Sequence, residues 1–164
     1  MTEEQRLFLV QARTDYSVFE LLRNDDKLPA CHALHYLQMA TELLGKAYAW
    51  RHGRPRRSHR AFVAFLRSLS TNRAAQNQLG FEGKNNNWTH VIRKSVPLAE
   101  YVEDLAPSLA GEGPNPEYPW PVDAPRTAPA EYTFDVWRQL QDTPAGRQFL
   151  SLAGRLFAAA DSFL

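Results

Sequence analysis

The segment from Ala30 to Trp50 is rich in leucine, alanine and aromatic residues, and its only helix breaker is Gly45. Such a run of good helix formers predicts one long helix, at about 29–52, because Pro29 suits a first helical turn. With 164 residues, the chain is long enough to surround such a helix with a core of its own. We therefore expect an all-α protein with a single domain over residues 1–164.

Apolar residues at helical spacing also precede and follow this segment. Thr2 and Gln5 have the spacing of a capping box at the start of a first helix, and Ser58 suits the N-cap of a third. The expected fold is a four- to five-helix up-and-down bundle. The predicted helices lie at about 3–23, 29–52, 58–78, 88–110, 134–140 and from Pro144 onward.

The segment 111–131 breaks the helical pattern. Six prolines fall within it, so we expect a long Pro-rich loop before the C-terminal helix. Loops of this length are usually functional, disordered or packed by their own side chains. We favour packing of Tyr118, Trp120 and Tyr132 against the bundle, and the alternative is that these aromatic residues bind a partner.

The composition excludes several classes of protein. No apolar run approaches the ~20 residues of a membrane span, and the N-terminus is acidic, so we expect a cytoplasmic protein that does not enter a membrane. Cys31 is the only cysteine, which rules out an internal disulfide. Cys31, His32 and His35 could hold a metal, but we expect them to pack in the core, and we predict no metal and no cofactor.

Charge is distributed unevenly along the chain. The balance of Lys and Arg against Asp and Glu is −2 over residues 1–50, +8 over 51–100 and −5 over 101–164. Such asymmetry favours a polyanion as the partner of the middle segment, and the acidic remainder suits a basic surface, such as one on a second copy.

Five arginines lie within ten residues of this middle segment. Their density predicts a corner of the bundle that binds the phosphates of RNA or a nucleotide, helped by free amide groups at the start of the third helix. The alternative is a solvated loop. The five are Arg51, Arg54, Arg56, Arg57 and Arg60.

Four residues of the predicted second helix carry a resemblance to a known family. Gln38, Ala40, Glu42 and Lys46 match the order and spacing of the second helix of HEPN domains. The resemblance covers about residues 5–70 and includes His59, which is similar to a histidine that often opens the third helix of the family. It implies a helical bundle, usually a homodimer, of the kind found in toxin–antitoxin and defence systems and among non-catalytic binding modules.

Many HEPN proteins are metal-independent ribonucleases with a signature of Arg, four to six residues, then His. The resemblance offers two candidates: Arg54 with His59, where Pro55 replaces a polar residue, and Lys84 with His90, where Asn85 is suitably polar but Lys84 replaces arginine. Histidine can manage the proton of the 2′-hydroxyl, and a cation can stabilise the charge on the phosphate. Because lysine lacks the planar fork of arginine, activity at the second candidate is in question. Alternatively, each histidine lies near a helix start and either bonds locally or is solvated.

These observations leave three hypotheses about function. The first is a HEPN-like module that binds RNA or a nucleotide through the basic corner, in a toxin–antitoxin or defence setting. The second is a non-catalytic structural or regulatory subunit that docks onto a larger protein partner. The third is a metal-independent endoribonuclease. The sequence also leaves open whether Glu42 and Lys46 form a surface ion pair or a buried one.

Overall fold

The computed structural model describes residues 1–51, 59–121 and 126–162. Within these ranges the chain is mostly helical, with eight α-helices and one small antiparallel sheet. The helices are α1 (Glu3–Leu22), α2 (Ala30–Ala49), α3 (Ala61–Leu69), α4 (Arg73–Gln78), α5 (Asn85–Asp104), α6 (Pro107–Ala110), α7 (Asp135–Asp142) and α8 (Pro144–Ala159). The strands are β1 (Trp120–Pro121) and β2 (Arg126–Thr127), and 3-10 turns span Pro129–Glu131 and Ala160–Ser162.

The helices α1 and α2 form an antiparallel pair, and the N-terminus of α1 is capped as expected. The backbone N–H of Thr2 donates to Gln5 Oε1 at 2.8 Å, and the N–H of Gln5 donates to Thr2 Oγ1 at 3.2 Å. The side chain of Gln5 also donates to the carbonyl of Ala47, 3.2 Å away. The start of α1 therefore lies beside the end of α2.

The predicted third helix is wrong in its extent. It was expected over 58–78, but α3 ends at Leu69 and a separate helix, α4, begins at Arg73. The side chain of Ser70 bonds back to the carbonyl of Arg67, and Asn72 Oδ1 accepts the N–H of Ala75 at 3.0 Å. Such side chains compete with the helical backbone and favour caps, so they end one helix and start the next. Ser58, the predicted N-cap, lies outside the described residues.

The predicted fourth helix also divides. Helix α5 begins at Asn85, continues through Pro97 and ends at Asp104, and the short α6 starts at Pro107. Helices α3 and α5 run antiparallel, because Trp88 Nε1 donates to the carbonyl of Leu69 at 3.0 Å while Glu103 contacts the first residues of α3. The two ends of α3 therefore face opposite ends of α5.

The Pro-rich segment packs on the bundle, as expected for Trp120. This side chain is buried, and its ring centroid lies 5.2 Å from that of Tyr132 and 6.1 Å from that of Phe134. Tyr118 instead remains exposed, and the pairing of β1 with β2 adds regular structure that the prolines did not predict. The helices α7 and α8 follow near the predicted positions.

The described residues form an all-α bundle around one apolar core, to which α1, α2, α3, α5, α7 and α8 all contribute. Among the helices of these ranges, none combines the length and apolar composition that crossing a bilayer requires.

Candidate functional site

The structure places the two ends of the basic segment on the bundle surface. Arg51 follows α2, is exposed, and has its guanidinium 5.1 Å from the ring centroid of Tyr48. Arg60 precedes α3 and forms an ion pair of 2.6 Å with Asp104 of α5. Arg54, Arg56 and Arg57 lie outside the described residues.

The end of α2 and the start of α3 touch through their backbones at Gly45. A Cβ atom at this position would lie 2.4 Å from the carbonyl carbon of Ala61 and 2.6 Å from the nitrogen of Phe62. Real Cβ atoms do not approach backbone atoms so closely, so only glycine permits this contact. The contact brings the polar side chains near the end of α2 beside His59.

These side chains form a polar cluster, which consists of Gln38, Glu42 and Lys46 of α2 and His59. Glu42 is at its centre. One carboxylate oxygen accepts a hydrogen bond from Lys46 Nζ, and the other lies 2.8 Å from Gln38 Nε2 and 2.7 Å from His59 Nδ1. Glu42 and Lys46 are therefore not a surface pair, since only 7% of the Glu42 side chain and 21% of the Lys46 side chain are exposed.

Burial and charged partners shift the pKa of Glu42 in opposite directions. Burial alone would raise the pKa of the carboxyl group, but the hydrogen bonds from Lys46 and His59 outweigh it and lower the pKa below its ordinary value. Glu42 is thus an ionised carboxylate at neutral pH. An ionised group in this position can hold a neighbouring histidine in a fixed orientation.

His59 is the exposed member of the polar cluster, with 42% of its side chain accessible. A carboxylate can only accept hydrogen bonds, so Nδ1 carries the hydrogen that is donated to Glu42. In the neutral ring Nε2 is then left as a hydrogen-bond acceptor. A histidine oriented in this way by a carboxylate is suited to proton transfer and, when charged, to binding an anion.

A second buried glutamate, Glu103 of α5, caps the start of α3. Its Oε1 accepts the backbone N–H groups of Phe62 at 2.8 Å and Val63 at 3.0 Å, so it acts as a cap from another helix. The expectation that free amides at this helix start attract an external anion is therefore wrong for these two groups. Burial raises the pKa of Glu103 to about 7, although the two amides act to lower it.

The other candidate catalytic residues lie at the far end of α3. Lys84 immediately precedes α5, and Asn85 Oδ1 accepts a hydrogen bond from Gln76 at 2.8 Å. His90 is exposed, two residues beyond Trp88, which contacts the last residue of α3. Helix α3 has nine residues and so spans about 14 Å. Within one chain, His59 and His90 therefore lie near opposite ends of α3.

The three potential metal ligands near the start of α2, Cys31, His32 and His35, lie in different environments. Cys31 is buried in the core, as expected, but His32 is exposed, so the expectation that His32 packs in the core is wrong. His35 Nδ1 lies 3.5 Å from Glu117 Oε1 of the Pro-rich segment. Over residues 1–51, 59–121 and 126–162, no three potential ligands come together as a metal centre would require.

Sequence reasoning identified Gln38, Glu42, Lys46 and His59 but missed Glu103. Gln38, Glu42 and Lys46 are four residues apart, so spacing alone places them on one helix face. Glu103 could not be found in this way, because its role depends on the contact between α3 and α5. Scans against protein-family models, curated proteins and solved structures found no match, so the HEPN resemblance rests on the sequence landmarks.

Proposed function

We propose that this protein binds RNA or a nucleotide through the basic segment 51–60, as a HEPN-like module of a toxin–antitoxin or defence system. The observation that supports the proposal is the position of the two described ends of this segment: Arg51 and Arg60 lie at the surface, and Arg60 directly follows His59 of the polar cluster. The balance of charge over residues 51–100 is +8, which favours a polyanionic partner.

The polar cluster supports the proposal by supplying a positioned histidine. Glu42 fixes Nδ1 of His59, and the ring stays partly exposed directly before Arg60, the last arginine of the basic segment. Phosphate contacts from arginine would give affinity, and an oriented ring can stack on a base or bond to a phosphate oxygen. The capped start of α3 contributes less, because Glu103 already accepts two of its amides.

Fluorescence anisotropy with a labelled oligouridine, and with ATP as a competitor, tests the proposal. The Arg54→Ala, Arg56→Ala, Arg57→Ala variant should bind more weakly, and the slope of log K against log salt should fall by about 2, since each phosphate contact to a single strand contributes about 0.7. The matched control removes the same charge at three exposed arginines elsewhere, Arg67, Arg126 and Arg138. Equal effects of the two triple variants, or binding that salt does not weaken, would contradict the proposal.

The ribonuclease hypothesis is tested with the two histidines separately. The contact with Glu42 favours His59 over His90 as the proton-transfer group. If the protein cleaves RNA, His59→Ala should abolish cleavage in EDTA and any growth arrest on expression, and His90→Ala should retain both. Loss of cleavage in His90→Ala alone would move the activity to the Lys84 and His90 surface, and an inactive wild-type protein would reject the hypothesis.

A second candidate function is that of a docking subunit, and an exposed face of α1 favours it. Leu7, Val10 and Leu21 are each more than half exposed and, with Thr14 and Ser17, follow the three-four spacing of a helix-pairing stripe. The hydroxyls of Thr14 and Ser17 bond back to helix carbonyls at 3.0 and 2.9 Å. The stripe can therefore be buried without leaving these donors unsatisfied.

We propose a second copy of the chain as the occupant of this stripe. Arg6 and Glu20 flank the stripe at equivalent heptad positions on either side of Arg13, so two antiparallel α1 helices would place Arg6 opposite Glu20. Arg13 is already neutralised by Asp161 at 2.8 Å. Sedimentation equilibrium should show a dimer that Val10→Glu dissociates and that Leu28→Glu, at an exposed leucine outside the stripe, preserves. A wild-type monomer would reject this pairing.

A further inference from the structure

A cleft lies between the second half of α1 and the pair α7 and α8, away from both candidate sites. Its volume is about 470 Å³, within the ~300–1,000 Å³ typical of small-molecule pockets. Its lining includes Tyr16, Glu20, Arg23, Gln141, Arg147 and Gly154. Of these residues, only Glu20 has a part in the functions proposed above, at the edge of the α1 stripe.

The position of Tyr16 determines the shape of the cleft. Its ring is stacked on Phe157 with centroids 4.2 Å apart, and its hydroxyl would lie only 3.2 Å from a Cβ at Gly154. Burial, with the nearby Glu20 carboxylate, raises the pKa of Tyr16 above its usual range. Its hydroxyl is therefore protonated at neutral pH and interacts with the Glu20 carboxylate.

One buried donor in the lining, Gln141 Nε2 of α7, has no hydrogen-bond partner. On the opposite wall, Arg23 Nε lies 3.1 Å from Glu20 Oε2 as an ion pair. An unsatisfied buried donor costs about 1–3 kcal/mol, so a ligand oxygen toward which the Gln141 amide turns would recover this cost, and the rest of the Arg23 guanidinium would supply the charge.

The charge of the cleft points to the class of ligand. Arg23 and Arg147 contribute two positive charges, and Glu20 contributes one negative charge. Arg147 is exposed at the mouth, where its Nη1 donates to the carbonyl of Asp142 at 3.1 Å. A net positive cleft with donors on two walls matches an oxyanion, because carboxylate and phosphate oxygens accept several hydrogen bonds at once.

We propose that this cleft binds the carboxylate or phosphate group of a small molecule, held by Arg23, Gln141 and Arg147. The site is independent of the basic segment 51–60. Arg23 follows the last residue of α1, whereas the first turn of α1 contacts the end of α2. The 20 residues of α1 separate the two places by about 30 Å.

Titration of the full chain with sodium phosphate and with sodium acetate, followed by the side-chain NH₂ signals of Gln141 in NMR, tests the proposal. Sodium chloride at equal ionic strength is the reference. We expect saturable shifts with at least one of the two anions, and the difference between them identifies the preferred group. Arg147→Gln should weaken binding about tenfold, because it removes a charge-assisted donor.

The matched control is Arg138→Gln, since Arg138 lies on α7, is exposed and pairs with Asp135 outside the cleft. Its affinity should stay within about twofold of the wild type. A second variant, Gln141→Leu, is followed by the backbone N–H signal of Gly154 and should also weaken binding. The proposal is overturned if neither anion gives shifts beyond chloride, or if Arg147→Gln and Gln141→Leu bind as the wild type does.

Discussion

Two buried glutamates approach the start of α3 from different sides, Glu42 from α2 and Glu103 from α5. Both side chains are almost inaccessible to solvent, at 5% and 1% residue exposure. Glu42 contacts Lys46 and His59, and its pKa is lowered; Glu103 contacts two backbone amides, and burial raises its pKa to about 7. Similar burial is therefore accompanied by opposite shifts of the pKa.

The difference shows which partners compensate for burial. A nearby cation stabilises the ionised carboxylate by direct attraction, whereas amide dipoles do so only partly. Glu103 Oε2 is also buried without a hydrogen-bond partner. This oxygen has lost its hydrogen bonds to water without forming one in the protein, which disfavours the ionised carboxylate. Glu42 therefore stays charged beside His59 and Lys46, whereas Glu103 holds the start of α3 against α5.

The largest expected effect comes from removing Glu42. Glu42→Ala leaves Lys46 partly buried without its carboxylate, and breaking a buried pair from one side costs about 3–4 kcal/mol. The free energy of unfolding from urea denaturation measures this loss.

A matched double variant tests the cause of that loss. In Glu42→Leu with Lys46→Met, no unpaired charge remains, so stability should recover by more than about half. If Glu42→Leu alone is as stable as the double variant, the charge of Lys46 is not what makes Glu42 necessary.

The second prediction concerns the pH dependence that Glu103 imposes. Its pKa is about 7 in the folded chain against an ordinary 4.5, so the folded state holds the proton more tightly. The stability from Glu103 is fully present below pH ~4.5 and is lost as the pH rises through ~7, by as much as ~3 kcal/mol. Glu103→Gln keeps an acceptor for the amides and should remove this slope.

The control for this slope lies on the same helix. Glu100 is partly exposed on α5, so Glu100→Gln should retain the wild-type fall in stability between pH 4.5 and 7. Arg60 and Asp104, the charged neighbours that act on Glu103, are unchanged in both variants. A slope that persists in Glu103→Gln would assign the titration to another group and remove the contrast with Glu42.

The third prediction alters the contact that sets the start of α3 against α2. Gly45→Ala would bring a Cβ within 2.4–2.6 Å of the backbone of Ala61 and Phe62, so the two helices must separate. We expect a loss of about 2 kcal/mol in thermal or urea unfolding, together with a steeper fall in stability between pH 4.5 and 7, because displacing Phe62 removes an amide that lowers the pKa of Glu103. Gly154→Ala, which meets only the side chain of Tyr16 at 3.2 Å, should cost less and keep the slope.

The sequence predicted the elements whose signals are local. The capping residues Thr2 and Gln5 placed the start of α1, and the unbroken apolar run placed α2 to within a few residues. The division of the third helix was missed because its signal, Asn72 after Ser70 and Thr71, competes with an apolar stripe that continues across it.

The candidate site could be predicted only in part for the same reason. Glu42 and Lys46 are four apart on one helix, which spacing reveals, but their burial depends on what packs over them. The contact of His59 with Glu42 spans 17 residues, and that of Glu103 with Phe62 spans 41. Neither follows from periodicity, since both depend on how α3 docks onto its neighbours.

The smallest expected effect concerns an exposed carboxylate, in contrast with the two buried ones: Glu100 of α5, which forms an ion pair with Arg67 of α3. The atoms Arg67 Nη2 and Glu100 Oε1 are 2.6 Å apart, yet the side chains are 63% and 40% exposed. Water screens such a pair and its side chains lose entropy on pairing, so Arg67→Gln should cost less than ~0.5 kcal/mol and nothing in about 0.5 M salt. A double-mutant cycle with Glu100→Gln measures the coupling in urea. A coupling of ~2 kcal/mol would show that an exposed ion pair contributes as much as a buried one in this protein. The opposite pKa shifts of Glu42 and Glu103 would then need a cause other than their buried partners.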